Sequence, residues 1–212
     1  MSGERPGVAA FDFDGTLATR DTLVPFLRRA RGAPRVLAAA ARAVPQVRDR
    51  DGFKLAMIGH LFRGQRADRL ATLGQAYVPT LEGVLRPELL DRLRWHQAEG
   101  HATVLVSASL GAYLRPLAER LGLDAALAVE LVVGADGLLT GEVVGGLNTR
   151  GPEKVSRLRA WVAQRHGPGA VVELWAYGDS SGDEELLAVA DHPTWVGRRA
   201  TRDGVRPAGD GG

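Results

Sequence analysis

The sequence of 212 residues predicts an α/β protein, in which helices cover both faces of a parallel sheet and an all-helical cap is inserted after the first strand. From residue 102 onward, short apolar runs alternate with amphipathic helical segments, as expected when strands are buried on both faces. Residues 20–95 show only the three- or four-residue apolar spacing of helices. Because 45% of the residues are hydrophobic, the chain can bury one good core, and we expect one compact unit with an insertion.

The first strand is predicted at residues 8–13, where four apolar residues lead directly into two acids. Helical segments separated by Gly and Pro follow, and their sequences are TLVPFLRRA, PRVLAAAARAV, DGFKLAMIGHLF, RADRLATLGQAYV and RPELLDRLRWHQAEG. These segments predict the helical cap, over residues 20–95.

The second half begins with the apolar strand ATVLVSAS and an amphipathic helix that ends at Gly122. ALAVELVVGADGLLTGEVVG predicts a hairpin around the GADG turn. The helix GPEKVSRLRAWVAQRHG, the strand VVELWAYG, the helix GDEELLAVA and the short strand TWVG complete the pattern. We therefore predict a core of residues 1–19 and 96–202, and a disordered Gly-rich tail at 203–212.

Composition excludes several classes of function. The 27 basic residues exceed the 25 acidic ones by too little to indicate a nucleic-acid partner. The absence of cysteine excludes disulfides, thiol catalysis and Cys-based zinc sites. No apolar segment is long enough to span a membrane and residues 1–7 lack the features of a signal peptide, so a cytoplasmic location is the default expectation. The best candidate for contact with a lipid surface is residues 25–50, although the alternative is a helical pair that packs its apolar face internally.

Polar residues follow three of the predicted strands. They are Asp12 and Asp14 after the first strand, Ser107 and Ser109 after the second, and Asp179 and Asp183 after VVELWAYG. The carboxyl ends of parallel strands meet at one edge of a sheet, and Lys154 lies at the start of a helix, where the dipole favours an anion. Carboxylates are ligands that Mg²⁺ prefers, and the hydroxyl of Ser107 and the ammonium of Lys154 can hold phosphate oxygens. Together these residues predict a phosphoryl-transfer site.

Four segments resemble, in order and spacing, the motifs of haloacid dehalogenase superfamily phosphatases. They are DFDGT, the serine of VLVSAS, the lysine of GPEK, and YGDSSGDEELL. The chain is similar to the branch that includes phosphoserine phosphatase, in which a helical cap is inserted into a Rossmann-like core after the first motif. The resemblance extends through about residue 197.

The resemblance implies a role for each motif residue. Asp12 would attack phosphorus to form an aspartyl-phosphate, and Asp14 would protonate the leaving oxygen and then activate water. Mg²⁺ would be held by Asp12, the backbone carbonyl of Asp14 and Asp179, with Asp183 in support. The phosphate-binding residues would be Ser107 and Lys154, with Thr16 orienting the first loop.

The substrate is left open by departures from the family pattern. Asp21 stands where phosphoserine phosphatases have a glutamate that binds the serine amine, SAS replaces SGG, and Gly182 replaces a common asparagine. We expect a small phosphomonoester, similar to phosphoserine or histidinol phosphate, or a lipid phosphate. Asp21 and Lys54 are candidates for substrate recognition, although Asp21 could instead cap a helix and Lys54 could lie on the solvent face.

Two other classes of protein could share this pattern. A receiver-type signalling module also combines clustered aspartates with a lysine and Mg²⁺, but it needs neither Asp14 nor the long helical insertion. A binding protein without catalytic activity could use the same fold. The complete set of acids together with Lys154 favours an enzyme. The sequence does not indicate the oligomeric state.

Overall fold

The computed structural model describes residues 5–44 and 49–197. Five parallel strands form the central sheet in the order β3-β2-β1-β6-β7. They are β1 (Gly7–Phe11), β2 (Ala102–Leu110), β3 (Ala125–Val129), β6 (Glu173–Gly178) and β7 (His192–Trp195). The predicted α/β class is therefore confirmed. The predicted disordered tail at 203–212 lies outside the described residues.

The central strand is buried on both faces, which explains its continuous apolar sequence. Ala9 and Phe11 of β1 belong to one hydrophobic cluster, whereas Val8 and Ala10 belong to the cluster on the opposite face. Helices cover both clusters, so the sheet lies in the middle of the molecule.

Nine helices are present in the part of the chain that the structure describes. They are α1 (Leu23–Arg31), α2 (Ala33–Ala43), α3 (Arg50–Phe62), α4 (Ala67–Gln75), α5 (Val78–Glu82), α6 (Pro87–Ala98), α7 (Gly111–Leu121), α8 (Pro152–His166) and α9 (Glu184–Ala188). Each predicted helical segment forms a helix, and RADRLATLGQAYV contributes to two, α4 and α5.

The predicted hairpin differs from the observed one. The first half of the apolar run joins the main sheet as β3, and only β4 (Leu131–Val133) and β5 (Leu139–Val143) pair as an antiparallel hairpin. Glu130 separates β3 from β4, and its carboxylate pairs with Arg115 at 2.6 Å. An apolar run that looks continuous is thus divided between two sheets.

The inserted segment leaves and rejoins the core at adjacent points. Thr19 N donates to Val84 O, and Arg86 N donates to Leu17 O, both at 2.9 Å. The predicted boundary between residues 95 and 96 lies inside α6, which packs against β2. We therefore propose that the insertion ends near Val84, one helix earlier than the sequence predicts.

No helix within residues 5–44 or 49–197 combines the length and the apolar composition needed to cross a bilayer.

Candidate active site

The loop after β1 carries the first two predicted acids. The backbone N–H of Asp12 donates to Tyr177 O at 2.9 Å, so the loop begins in register with β6. Gly15 has a φ of 90°, which residues with a Cβ rarely adopt, and a Cβ there would overlap the carboxylate of Asp179. Glycine at this position therefore lets the loop pass directly against Asp179.

Lys154 binds two buried carboxylates. It lies in the first turn of α8, and its Nζ donates to Asp12 Oδ1 and to Asp183 Oδ1, both at 2.6 Å. Burial alone would lower the pKa of Lys154, but the negative charges of Asp12 and Asp183 outweigh burial and raise it. Lys154 is therefore a fixed, charged donor between the two acids.

Three carboxylates could hold a metal ion. Oxygen atoms of Asp12, Asp179 and Asp183 lie within 4.8 Å of one another. Burial raises the pKa of Asp12 to about 7, despite the opposing effect of Lys154, and burial together with the charge of Asp183 raises the pKa of Asp179. A divalent cation would favour the ionised form of these carboxylates. The group therefore fits Mg²⁺ in ligand type, spacing and charge.

Both carboxylate oxygens of Asp183 accept hydrogen bonds from other groups of the protein. Oδ1 accepts from Lys154, and Oδ2 accepts from Ser180 N at 3.0 Å, Ser180 Oγ at 2.9 Å and Asp179 N at 3.3 Å. This network suits Asp183 to positioning Lys154 and the loop that carries Asp179. The hydroxyl of Thr16 is buried and donates to Asp179 Oδ1 at 3.2 Å, so it faces a carboxylate rather than the cavity described below.

Asp14 lies beside this group, and its carboxylate has other partners. Oδ1 accepts from Thr22 N at 2.7 Å and from Thr22 Oγ1 at 2.6 Å, and Oδ2 accepts from the hydroxyl of Ser109. Burial raises the pKa of Asp14, although the hydrogen bonds from Ser109 and Thr22 oppose the shift. The carboxylate is not in the metal-binding group found among the described residues, which agrees with a role for Asp14 as a metal ligand only through its backbone carbonyl, and that role stays a prediction. It is a positioned group whose protonated form is favoured by burial.

A cavity of about 440 Å³ connects the acids of the core with the inserted helices. Ser107 lines it, is 1% exposed, and accepts a hydrogen bond from Ser109 N at 3.2 Å. The lining includes polar and charged residues of the core, which are Asp12, Asp14, Ser107, Asn148, Arg150, Lys154, Ser180, Ser181 and Asp183. It also includes residues of the insertion, which are Asp21, Leu23, Val24, Arg50, Asp51, Phe53, Lys54 and Met57.

Both predicted recognition residues line this cavity. Asp21 Oδ1 accepts from Val24 N at 3.2 Å, so Asp21 caps the start of α1 and faces the cavity at the same time. Lys54 is half-buried on α3 rather than on the solvent face. Burial lowers the pKa of Lys54, while the charges of Asp14, Asp21 and Asp51 partly oppose the shift. The structure therefore brings a cation and an acid of the insertion to the cavity that contains Asp12 and Asp14.

The model of the haloacid dehalogenase-like hydrolases matches residues 9–188 of the chain. The chain belongs to this family. Protein CicA of Caulobacter vibrioides (strain NA1000 / CB15N) is 34% identical over 199 residues, which cover 89% of this chain and 85% of CicA. A histidinol-phosphatase of Neisseria meningitidis serogroup C is 28% identical over 105 residues, covering 48% of this chain and 46% of that protein.

The fold of this haloacid dehalogenase-like hydrolase is similar to that of a probable phosphoserine phosphatase from Vibrio cholerae. The TM-score is 0.61 at 20% sequence identity, and the match covers 88% of this chain and 54% of that chain. The predicted family is therefore confirmed by the family model, and the likeness to the solved structure confirms the fold.

Arg150 explains the glycine that departs from the family pattern. A Cβ on Gly182 would lie 2.7 Å from Arg150 Nε, and Arg150 Nη2 donates to Ser181 Oγ at 2.9 Å. Arg150 Nη1 also lies 3.8 Å from Asp51 Oδ2, and Asn148 Nδ2 donates to Asp51 Oδ1 at 2.9 Å. Asn148 and Arg150 thus tie α3 to the core at the edge of the cavity, in space that a larger residue at 182 would fill.

Sequence reasoning missed several of these contacts. Ser109 was predicted to lie in the same strand-end cluster as Ser107, but its hydrogen bond to Asp14 was not predicted. Thr22 directly follows Asp21, but nothing in the local sequence indicates that it binds Asp14. The contacts of Asp51 and Arg150 join residues about 100 positions apart, and no local pattern predicts them.

Proposed function

We propose that the protein is a Mg²⁺-dependent phosphomonoester hydrolase that works through an aspartyl-phosphate on Asp12. The observation that carries the proposal is the pairing of Lys154 with Asp12 and Asp183 beside the cavity, with Asp14 two residues from Asp12. A nucleophilic carboxylate, a fixed cation and a second acid held in place are the groups that phosphate-ester hydrolysis requires.

In the first half of the reaction, a carboxylate oxygen of Asp12 attacks phosphorus and the bond to the leaving oxygen breaks. Asp14 gives its proton to that oxygen, a role favoured by the burial that raises the pKa of Asp14. Lys154 stabilises the negative charge of the phosphoryl group in the transition state.

In the second half, Asp14 takes a proton from water as the water oxygen attacks the phosphorus of the aspartyl-phosphate. The bond between phosphorus and Asp12 breaks, phosphate leaves, and both acids return to their starting forms. Ser107 lines the cavity and can donate its hydroxyl to a phosphate oxygen. Mg²⁺, held by Asp12 and Asp179 with Asp183 in support, would lower the repulsion between the anionic phosphate and the attacking carboxylate.

We infer that the substrate is a small phosphomonoester with further charged groups, of the phosphoserine or histidinol-phosphate kind. The insertion places cations and acids around the cavity, including Lys54, Arg50, Asp21 and Asp51. These residues can bind an anionic group and an amine outside the phosphate site. The relatives reported above give no support to the alternative of a lipid phosphate.

Release of phosphate from a panel of phosphomonoesters tests the proposed function. The panel contains phosphoserine, histidinol phosphate and p-nitrophenyl phosphate, with Mg²⁺ or with excess EDTA. We expect many turnovers per protein with Mg²⁺, loss of turnover with EDTA, and restoration when Mg²⁺ is returned in excess. Asp91→Asn, which changes an exposed acid paired with Arg94, serves as the control for Asp12→Asn.

Three outcomes would contradict the proposal. Transfer of a single phosphoryl group without repeated release would indicate a receiver-like module, and the absence of both transfer and release would indicate a binding protein. Full activity in EDTA would exclude the role of Mg²⁺.

A further inference from the structure

The outer face of α2 is unusual for a surface helix. The helix has the sequence APRVLAAAARA, in which the two arginines, Arg35 and Arg42, are the only polar residues. Val36, Ala39 and Ala43 are buried against the protein. A surface helix normally exposes a charged or polar face, whereas this one exposes mainly apolar side chains.

The exposed residues of α2 form two stripes at opposite borders of the exposed arc. At 100° per residue, Leu37 and Ala41 lie together with Val44, the residue that follows the helix, while Arg35 and Arg42 lie together at the other border of the exposed arc. Leu37 is 74% exposed and Val44 is 63% exposed. The outer face therefore carries large apolar side chains along one border and positive charge along the other, with alanines between them.

More arginines lie close to α2 along the chain. Arg28 and Arg29 are exposed at the end of α1, and Gly32 alone separates α1 from α2. None of Arg28, Arg29, Arg35 and Arg42 forms an ion pair within residues 5–44 and 49–197. The chain has no acidic residue between Asp21 and Asp49. The positive charge of this surface is therefore not neutralised locally.

The whole insertion shares this excess of positive charge. Residues 20–84 contain 12 basic and 5 acidic residues, whereas the rest of the chain contains 15 basic and 20 acidic residues. The net charge of the protein is thus near zero because the positive charge of the insertion and the negative charge of the core offset each other. A protein with this charge distribution orients its insertion toward an anionic surface.

We propose that the outer face of α2, together with the adjoining arginines of α1, binds the surface of an anionic membrane. Lys and Arg side chains beside exposed apolar residues on a helix are the features of interfacial binding, in which the arginines contact lipid phosphates and the apolar stripe enters the boundary of the acyl chains. The same insertion forms part of the cavity wall, since α1 and α3 both line it. The proposal does not depend on the identity of the substrate.

Two other occupants fit this face less well. A second copy of the chain would need about 800 Å² per partner for a stable interface. An 11-residue helix about 16 Å long and 10 Å wide offers only about 160 Å². Nucleic acid would contact the arginines through its phosphates, but it would leave the exposed Leu37 and Val44 without an apolar partner.

Co-sedimentation with vesicles tests the proposal. The vesicles contain either phosphatidylcholine alone or equal parts of phosphatidylcholine and phosphatidylglycerol. We expect the full chain to bind only the anionic vesicles, and to bind less in high salt. The double variant Arg35→Gln/Arg42→Gln should bind roughly 30-fold more weakly, because each arginine near an anionic surface contributes a few-fold to affinity. The part of vesicle binding that comes from apolar contacts should remain in high salt, and Leu37→Ser should weaken that part.

Arg159→Gln is the matched control, since Arg159 is exposed on α8, far along the chain from α2. This variant should bind as the unchanged protein does, and all variants should hydrolyse p-nitrophenyl phosphate equally, which shows that they are folded. Three results would overturn the proposal. The protein could bind neutral vesicles as well as anionic ones, Arg159→Gln could weaken vesicle binding as much as the α2 variants do, or the α2 variants could bind vesicles as the unchanged protein does. Dissociation of a dimer by Leu37→Ser, or stronger binding to DNA than to vesicles, would assign the face to another partner and overturn it too.

Discussion

Asp14 is held by more hydrogen bonds than a freely rotating carboxylate would have. Thr22 donates to one oxygen through its backbone and its hydroxyl, and Ser109 donates to the other oxygen. These contacts fix the direction of the carboxylate, while burial raises its pKa. A carboxyl group held in one orientation and favoured in its protonated form is suited to giving a proton to a leaving group.

We predict that Asp14→Asn slows hydrolysis by about 10² to 10⁴, the usual contribution of a positioned acid or base. The loss in the first half of the reaction should be smaller for p-nitrophenyl phosphate than for an alkyl phosphate, because p-nitrophenolate leaves without needing a proton. Steady-state rates and the single-turnover burst measure the two halves separately.

Thr22→Val provides the comparison for Asp14. It removes one hydrogen bond to Asp14 and leaves the carboxylate in place, so it should cause a smaller loss with the same preference for good leaving groups. If Asp14→Asn slows good and poor leaving groups equally, Asp14 is not the proton donor.

At the scale of the element, α3 joins the insertion to the catalytic residues. Its first half supplies Arg50, Asp51, Phe53 and Lys54 to the cavity. Asp51 also accepts a hydrogen bond from Asn148 of the core. The helix is therefore both a wall of the cavity and a point of attachment to the core, which places substrate recognition and closure on one element.

We predict that Lys54→Met raises KM by an order of magnitude or more for a substrate with a second anionic group. The rate with p-nitrophenyl phosphate should stay the same, because this small compound carries no second anionic group. Arg63→Met is the control, since Arg63 is exposed at the other end of α3 and does not line the cavity. Equal effects on both substrates would assign Lys54 to the structure of the insertion rather than to recognition.

At the scale of the whole molecule, a buried histidine couples stability to pH. His96 is fully buried on α6, and its two ring nitrogens lie 2.8 Å from His101 Nδ1 and 2.8 Å from Tyr177 Oη. Burial lowers the pKa of His96 to about 3, with smaller effects from the charges of His101, Arg92 and His192. His96 therefore binds a proton much more weakly in the folded protein than in the unfolded chain, in which the pKa of histidine is about 6.5.

This difference predicts that His96 stabilises the fold above pH 6.5 and that its contribution falls as the pH decreases from about 6.5 toward about 3. Urea unfolding at a series of pH values measures the effect. His96→Gln, which keeps hydrogen-bonding groups but does not titrate, should flatten this part of the profile relative to the unchanged protein. Parallel profiles for the two proteins would show that His96 is not responsible.

Local patterns in the sequence were sufficient for much of this architecture. Buried strands on both faces give apolar runs, and the acids that follow them reach one edge of a parallel sheet, which is why Asp12, Asp179 and Lys154 could be brought together from sequence alone. The helices of the insertion follow from apolar spacing and from the Gly and Pro between them.

Features that depend on distant contacts could not be predicted. The apolar run divides between β3 and β4 at Glu130, whose carboxylate pairs with Arg115, 15 residues earlier. The orientation of Asp14 depends on Ser109, 95 residues away. The space beside Gly182 is filled by Arg150, which precedes it by 32 positions in the chain. Each of these features involves a contact between two residues that are distant in the sequence, and no residue near either one indicates the contact.

Trapping of the phosphoenzyme tests the central claim, that Asp12 is the nucleophile, most directly. The protein is mixed with Mg²⁺ and a radiolabelled phosphomonoester, quenched in acid, digested, and the labelled peptide is identified by mass spectrometry. We predict a label that hydroxylamine removes, as expected of an acyl phosphate, located on Asp12 and absent in Asp12→Asn, while Asp91→Asn is labelled like the unchanged protein. A label on another residue, or rapid turnover by a folded Asp12→Asn variant, would contradict the claim.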